Sequence, residues 1–178
     1  ESGRLPSSME EATIVVLPKQ GRDPLQVGSY RPLAMLNVDY KIFSKVLANR
    51  LLPVVASVVH TDQTGFIPGR STFLNVRRLH HLMGAVANRG VLAVAMSLDI
   101  EKAFDTLQWS YLWEVLKSIG VGPVFLRWIK LLYASPKARV KTGAVISQSF
   151  RIHRGTRQGC PLSPILFAIA MEPLACRL

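Results

Sequence analysis

Cysteine is nearly absent from this sequence: Cys160 and Cys176 are the only two in 178 residues. They stand too far apart and too alone for a zinc set or a disulfide framework, so both are expected as buried thiols and nothing indicates an oxidising compartment. Long apolar runs are missing as well. The longest candidate, Ile165 to Met171, falls well short of the roughly 20 residues a membrane helix needs and is followed by Glu172. A soluble, intracellular protein of nucleus or cytoplasm, without membrane contact, is the expectation. There is no internal repeat, low-complexity tract or flexible linker. Neither an initiator Met nor a signal peptide opens the chain, and Leu174 to Leu178 stop inside an apolar pattern without a helix-ending signal, so both ends are expected to be cuts.

Acidic side chains are the other scarcity. Eleven Asp and Glu face 22 Lys and Arg, a formal charge of +11. That excess favours a polyanion, with nucleic acid first, because neutralised phosphates release counterions; a merely solvated basic surface is the alternative. What the chain has in quantity is apolar material, 49% of residues, enough for one sizeable core or two small subdomains.

The pattern of that material predicts mixed α and β structure. Ala12 to Leu17 is a β-branched strand stopped by Pro18, followed by an exposed loop from Lys19 to Ser29. Asn37 caps a helix running to Leu52 before Pro53, with Val38, Ile42, Val46, Phe43, Leu47 and Leu51 on a broad apolar face and Lys41, Ser44 and Lys45 on a narrow polar one. Thr61 to Ser71 reads as a loop, and Ser71 caps a second helix whose core stripe is Phe73, Val76, Leu79, Met83 and Val86. Val91 to Leu98 has the length and continuity of a central strand buried on both faces. Helices follow over Ser110 to Gly120 and from Pro123 to about Tyr133, then a hairpin between Pro136 and Ile152, a loop over Gly155 to Gly159, and a last helix opened by Ser163-Pro164.

Chemistry is concentrated where these elements meet. In Ser97-Leu98-Asp99-Ile100-Glu101-Lys102-Ala103-Phe104-Asp105, a carboxylate at the exit of a buried strand is costly without a counter-charge, which a metal ion would supply. A helix cap at Asp99 and a core ring at Phe104 are the bland alternatives; Glu101, Lys102 and Asp105 read as solvated or capping charges. In Arg154-Gly155-Thr156-Arg157-Gln158-Gly159-Cys160-Pro161-Leu162-Ser163-Pro164, two glycines free the backbone for close approach and two prolines fix the entry to a helix, a loop suited to pressing on a flat ligand. Leu17-Pro18-Lys19, then Ser29-Tyr30-Arg31-Pro32-Leu33, places a guanidinium fork on an extended backbone, with Lys19 either a point charge for phosphate or a surface lysine. Asp62 to Thr72 carries Gly65, Pro68, Gly69 and Arg70, which meets a phosphate or simply serves the helix entry.

Taken in order, these strings resemble the motifs of reverse transcriptases, and Ser-Leu-Asp-x-Glu-Lys-Ala-Phe-Asp is similar to the non-LTR, LINE-like branch. The resemblance spans Lys19 to Pro164, nearly the whole chain. It implies an α+β right-hand polymerase, with fingers over 1–90, the first part of the palm over 91–120, a connecting helix and hairpin over 121–152 and a second part of the palm over 153–178. It also implies RNA-directed DNA synthesis from dNTPs on an RNA template and a DNA primer, by two Mg²⁺ ions. Asp99 and the carbonyl of Ile100 would bind metal, Asp99 being catalytic. Phe104 would exclude the ribose 2′ hydroxyl, Gln158 and Gly159 would pack on the incoming nucleotide, and Lys19 and Arg31 would meet its triphosphate. Arg70, Arg154 and Arg157 would contact nucleic acid. The family's two further aspartates, in a hairpin expected after the last helix, and its thumb are not reached before Leu178, so this segment alone is expected not to polymerise. The competing reading is a non-catalytic nucleic-acid-binding remnant of a retroelement.

Overall fold

The computed structural model describes residues 3–177. A single helical turn, α1 (Ser7–Glu10), feeds β1 (Glu11–Pro18), whose β-branched run suits a pleated surface. β1 is the middle of a five-stranded sheet. It pairs antiparallel with β2 (Tyr30–Met35) and parallel with β3 (Lys137–Thr142). Two short strands, β4 (Val145–Ile146) and β5 (Phe150–Arg151), pair back onto β3. The expected hairpin is therefore present, turning at Gly143 with φ 59°, a left-handed backbone that glycine adopts without strain.

Alternate residues of the sheet face opposite ways. Paired Ala12 and Ala138 point inward and are buried, on the face turned toward the loop before the last helix. The other face carries Thr13, Val15 and Leu17 of β1 and is open.

Helices α2 (Val38–Val58), α5 (Trp109–Ser118), α6 (Pro123–Leu132) and α7 (Ser163–Ala175) form the core beside the sheet. α2 and α5 both pack on α7, which is apolar nearly all round and so is buried on several sides. Leu112, Leu116, Ile129, Leu166 and Ile169 are fully enclosed; each such side chain is worth about 1.5–3 kcal/mol of transfer from water. Asn37 caps α2 as expected, its side chain accepting from the Asp39 amide at 2.8 Å. Ser71 caps α3 (Thr72–Arg89) by accepting from the Phe73 amide.

Two loop anchors join distant parts of the chain. The buried Glu172 carboxylate accepts from the His60 amide and from Gln63 Nε2, each at 2.9 Å. Arg70 donates to the carbonyls of Ala56, Val59, His60 and Gln63, closing the C-terminal end of α2. α3 is tied at its start, where Asn75 donates to the Asp62 carbonyl and Arg78 pairs with the Asp62 carboxylate, holding that carboxyl below its usual value.

Several expectations are corrected. α2 runs through Pro53 to Val58 instead of ending at Leu52. The carbonyl left without a proline N–H belongs to Asn49, which is exposed beside Pro53, so water can take its place. The buried face of α2 is Tyr40, Ser44, Leu47, Ala48, Leu51 and Val55, leaving Val38, Ile42 and Val46 exposed. Ser44 tolerates the interior because its hydroxyl donates to the Lys41 carbonyl at 3.1 Å. The stripe of α3 is not core: Phe73, Val76, Leu79 and Met83 are exposed and α3 has no buried residue. Val91 to Leu98 forms no strand and is exposed throughout. A central strand exists only where neighbours accept its backbone bonds and cover both faces, and no strand lies alongside this segment among the described residues. Finally, Cys160 is buried but Cys176 is exposed, its thiol donating to the Glu172 carboxylate at 3.1 Å.

The internal proline gives a direct stability prediction. Pro53→Ala restores a hydrogen bond to Asn49 and relieves a ring clash, and should raise unfolding stability by about 1–3 kcal/mol in a urea titration. An unchanged or lowered midpoint would show that α2 is not continuous across this position.

Candidate active site

The site is assembled by docking the turn that opens a short helix onto a loop. After Ile100 the chain reverses at Lys102, whose φ of 49° is left-handed, and enters the one-turn helix α4 (Ala103–Thr106). The Lys102 carbonyl accepts from the amides of Asp105 and Thr106 at 2.8 and 3.1 Å, which holds the turn. The loop before α7 then binds its far side. Thr156 N donates to the Phe104 carbonyl at 2.6 Å and Gly155 N to the Leu107 carbonyl at 2.7 Å. Trp109 Nε1 donates to the Gly155 carbonyl at 2.7 Å.

Both loop glycines are required by close approach. Gly155 has φ +83°, and a Cβ there would meet the Asp105 backbone at 2.8 to 2.9 Å. Gly159 has φ +81°, and its Cβ would meet the Ala34 carbonyl of β2 at 2.9 Å. The loop is thus clamped between the turn on one side and β2 on the other.

The docking sets the turn that carries Phe104 and Asp105 against the loop that carries Gln158. The Phe104 ring stacks on Phe167 of α7, with centroids 4.4 Å apart and planes at 29°. Its edge meets Phe66 at 5.8 Å and 84°. Phe66 adopts φ 62°, an uncommon backbone for a bulky residue. Gln158 Nε2 donates to the Asp105 carboxylate at 3.3 Å. The sequence reading missed Phe66, Phe167 and the structural part of Asp105. The one available signal was an aromatic between Gly65 and Ile67 in an otherwise turn-like loop; nothing in the sequence links it to Phe104.

The cationic candidates divide sharply. Arg157 is buried, 5% exposed, with its terminal nitrogens on the carbonyls of Met9 and Glu10 and its guanidinium 4.9 Å from the Tyr40 ring centroid. Burial pushes the Tyr40 and Tyr133 phenols up from their ordinary value, so this arginine is surrounded by neutral rings and carbonyls. Arg157 is placed as an internal brace between the loop and the start of β1, and Arg70 as the helix closure described above. Arg154 is exposed. With Gln158, Pro32, Ala34 and Trp109 it lines a mainly apolar cleft of about 230 Å³ between the inner sheet face and the loop.

Arg31 is exposed on β2, opposite Leu17, and projects from the face away from Pro32 and Ala34. Lys19 donates through Nζ to the Gly28 carbonyl at 2.9 Å, closing the loop that leads to Arg31. No hydrogen bond or ion pair joins either side chain to the Phe104 and Gln158 group among the described residues. Asp99 and Ile100 lie exposed at the end of the open segment before the Lys102 turn. No group of three or more His, Cys, Asp or Glu suited to a metal forms among the described residues.

The docking can be tested through its tightest point. Gly155→Ala combines a left-handed backbone with a collision against main chain that cannot rotate away, and should destabilise the fold by about 2–3 kcal/mol in chemical denaturation. A loss below about 0.5 kcal/mol would mean that turn and loop are not in contact.

Comparison with known proteins gives the family of the chain. Residues 17–178 match the model of the family described as reverse transcriptase (RNA-dependent DNA polymerase). The chain is 39% identical over all of its length to the Transposon TX1 uncharacterized 149 kDa protein of Xenopus laevis, of which it covers 14%. It is 28% identical, over 99% of its length, to the retrovirus-related Pol polyprotein from type-1 retrotransposable element R2 of Popillia japonica, covering 24% of that protein. Over 94% of its length it is 28% identical to the RNA-directed DNA polymerase from mobile element jockey of Drosophila funebris, covering 18% of it. The chain therefore spans between 14% and 24% of the length of these relatives. With an α+β architecture, the docked turn and loop, and relatives among non-LTR retrotransposons, the chain belongs to the reverse transcriptase family.

Proposed function

We propose that this chain holds and selects the incoming deoxynucleotide in an RNA-directed DNA polymerase of the non-LTR retrotransposon kind, with RNA template and DNA primer as partners. The observation that supports the reading is the docked pair of turn and loop, in which the Phe104 carbonyl accepts from Thr156 and the Asp105 carboxylate accepts from Gln158. A ring braced on Phe167 and Phe66 cannot swing aside at low cost, which suits a wall that rejects a ribose 2′ hydroxyl. Gln158 and Gly159, on a loop pressed against β2, present a flat edge to the nucleotide. Arg31 offers a fork for triphosphate oxygens, with Lys19 holding the loop before it, and Arg154 at the cleft mouth offers a further phosphate contact. In this reading 1–90 and the connecting hairpin region of 121–152 act as fingers, and 91–120 with 153–178 as palm.

Asp99 is proposed as a metal-binding carboxylate, with the Ile100 carbonyl beside it. Mg²⁺ demands near-octahedral oxygen coordination, and one carboxylate with one carbonyl falls short of that. The described residues gather no larger cluster, so the fit of this chain alone to a two-magnesium site is poor, and its own contribution is nucleotide selection. The alternative of a non-catalytic remnant is not favoured by the relatives' names, which include an RNA-directed DNA polymerase.

Primer extension on an RNA template with Mg²⁺ and dNTPs, by a polymerase carrying this chain, tests the reading. Asp99→Asn should lower the rate by at least about 100-fold, and activity that survives it removes Asp99 from the reaction. Phe104→Ala should relax the preference for deoxynucleotides over ribonucleotides by about 10-fold or more, read as the ratio of kcat/KM values. An unchanged ratio would remove Phe104 from sugar selection.

A further inference from the structure

Phe66 sits in its loop against two ordinary preferences. Its neighbours Thr64 and Ile67 are buried, 8% and 3% exposed, and Ile67 belongs to the main core, whereas the Phe66 side chain is left 57% exposed. Its backbone lies at φ 62°, a region disfavoured for a bulky side chain, where glycine or asparagine would complete the same turn without strain. Folding gains little from a phenylalanine here. Phe66 borders a groove on α7 with Ala168, Met171 and Leu174, but cover of that kind could come from any apolar side chain. Strain kept at a position that adds little to the core points to a task for the side chain itself. Among the described residues the aromatic neighbour of Phe66 is Phe104, with ring centroids 5.8 Å apart and planes at 84°.

The loop that carries Phe66 and the helix that carries Phe167 are fastened to each other. Glu172 of α7, 8% exposed, accepts from the His60 amide and from Gln63 Nε2, each at 2.9 Å. Gln63 stands three residues before Phe66, and Glu172 follows Phe167 on the same helix. Arg70 secures the far end of the loop on the carbonyls that close α2. The two rings that touch Phe104 are thus held in one frame. Phe104 is half-buried and stacks on Phe167 with centroids 4.4 Å apart. Stacked rings slip over one another with little change in contact, and a third ring set nearly perpendicular to Phe104 adds a restraint in another direction.

We propose that Phe66 is a positioning residue for sugar selection: it fixes the Phe104 ring where a ribose 2′ hydroxyl is refused, and the bridge from Gln63 to Glu172 fixes Phe66. A ring free to give way admits the extra oxygen at lower cost, so the support of the ring sets the strength of the refusal. The inference rests on the role proposed above for Phe104. It adds that the loop between α2 and α3, through a residue that touches no nucleotide, takes part in the choice of sugar.

The test uses a polymerase carrying this chain, which extends a primer on an RNA template with a dNTP or the matching rNTP, and reads the ratio of kcat/KM for the deoxynucleotide over the ribonucleotide. Phe66→Ala should lower that ratio by about 3–10-fold, the range that loss of one aromatic pair allows. Phe66→Gly suits the left-handed turn, should lower the ratio equally, and covers the case in which alanine disturbs the loop. Phe66→Tyr keeps the ring and should hold the ratio within about 2-fold of that of the unsubstituted enzyme. In a Phe104→Ala background, Phe66→Ala should change the ratio by less than about 2-fold, because nothing is left for it to position. Gln63→Ala should shift the ratio in the same direction as Phe66→Ala. A role confined to holding the loop lowers the rates with both sugars together and leaves the ratio alone; that result overturns the proposal, as does an effect of Phe66→Ala that persists undiminished without the Phe104 ring. If Phe104→Ala lowers the ratio and the Phe66 variants do not, Phe66 loses its role and the proposed function stands. If Phe104→Ala itself leaves the ratio unchanged, the proposed role of Phe104 falls and this inference falls with it.

Discussion

The contact on which the site depends is main chain against main chain: Gly155 seated on the Asp105 backbone, with Thr156 and Gly155 amides donating to the Phe104 and Leu107 carbonyls. Side chains can be exchanged over evolution with modest rearrangement, but two backbones at this distance leave no freedom except in the residue that lacks a Cβ. The positions of Phe104 and Gln158 hang from this contact. Phe104 is fixed because the turn that carries it is held from behind, and Gln158 is fixed because the loop that carries it is held between that turn and β2. The site is therefore organised before any ligand arrives, which reduces the ordering cost of binding.

The local signals read from sequence were strong where an element's own residues decide its form. The strand ending at Pro18, the caps at Asn37 and Ser71, the helix opened by Pro123, the hairpin turning at Gly143 and the helix opened by Ser163-Pro164 all stand as the pattern indicates. What failed were statements about partners. The apolar stripe of α3 and the run from Val91 to Leu98 state what those segments would bury, and the structure leaves both exposed. Periodicity also could not choose a face on α2, which is apolar around most of its circumference. Ser44 lies on the buried face of α2, where its hydroxyl bonds its own helix, and Ile42 lies on the exposed side.

The site was legible in its membership more than in its physical reasons. Gly155 and Gly159 were singled out for close approach, and close approach is what they make, but to Asp105 and Ala34. Asp105, set aside as a solvated charge, is the surface on which the loop rests and an acceptor for Gln158. Phe66 and Phe167 could not be found from spacing, because each reaches Phe104 only through the tertiary fold.

Charge shows most clearly why composition and function are separated by structure. The excess of basic residues pointed to a polyanion, yet Arg70 and Arg157 spend their donors on carbonyls within the fold, where they join segments far apart in sequence. A guanidinium suits that task because its planar fork satisfies several carbonyls at once and it stays charged under all ordinary conditions. Other cations stay exposed, among them Arg154 beside the loop and Arg31, Lys141 and Arg151 on the sheet. A count of lysines and arginines thus overstates the charge left facing outward. The parallel pairing of β1 with β3 is what sets Glu11 against Arg139, and it is the step of this fold that no local pattern announces.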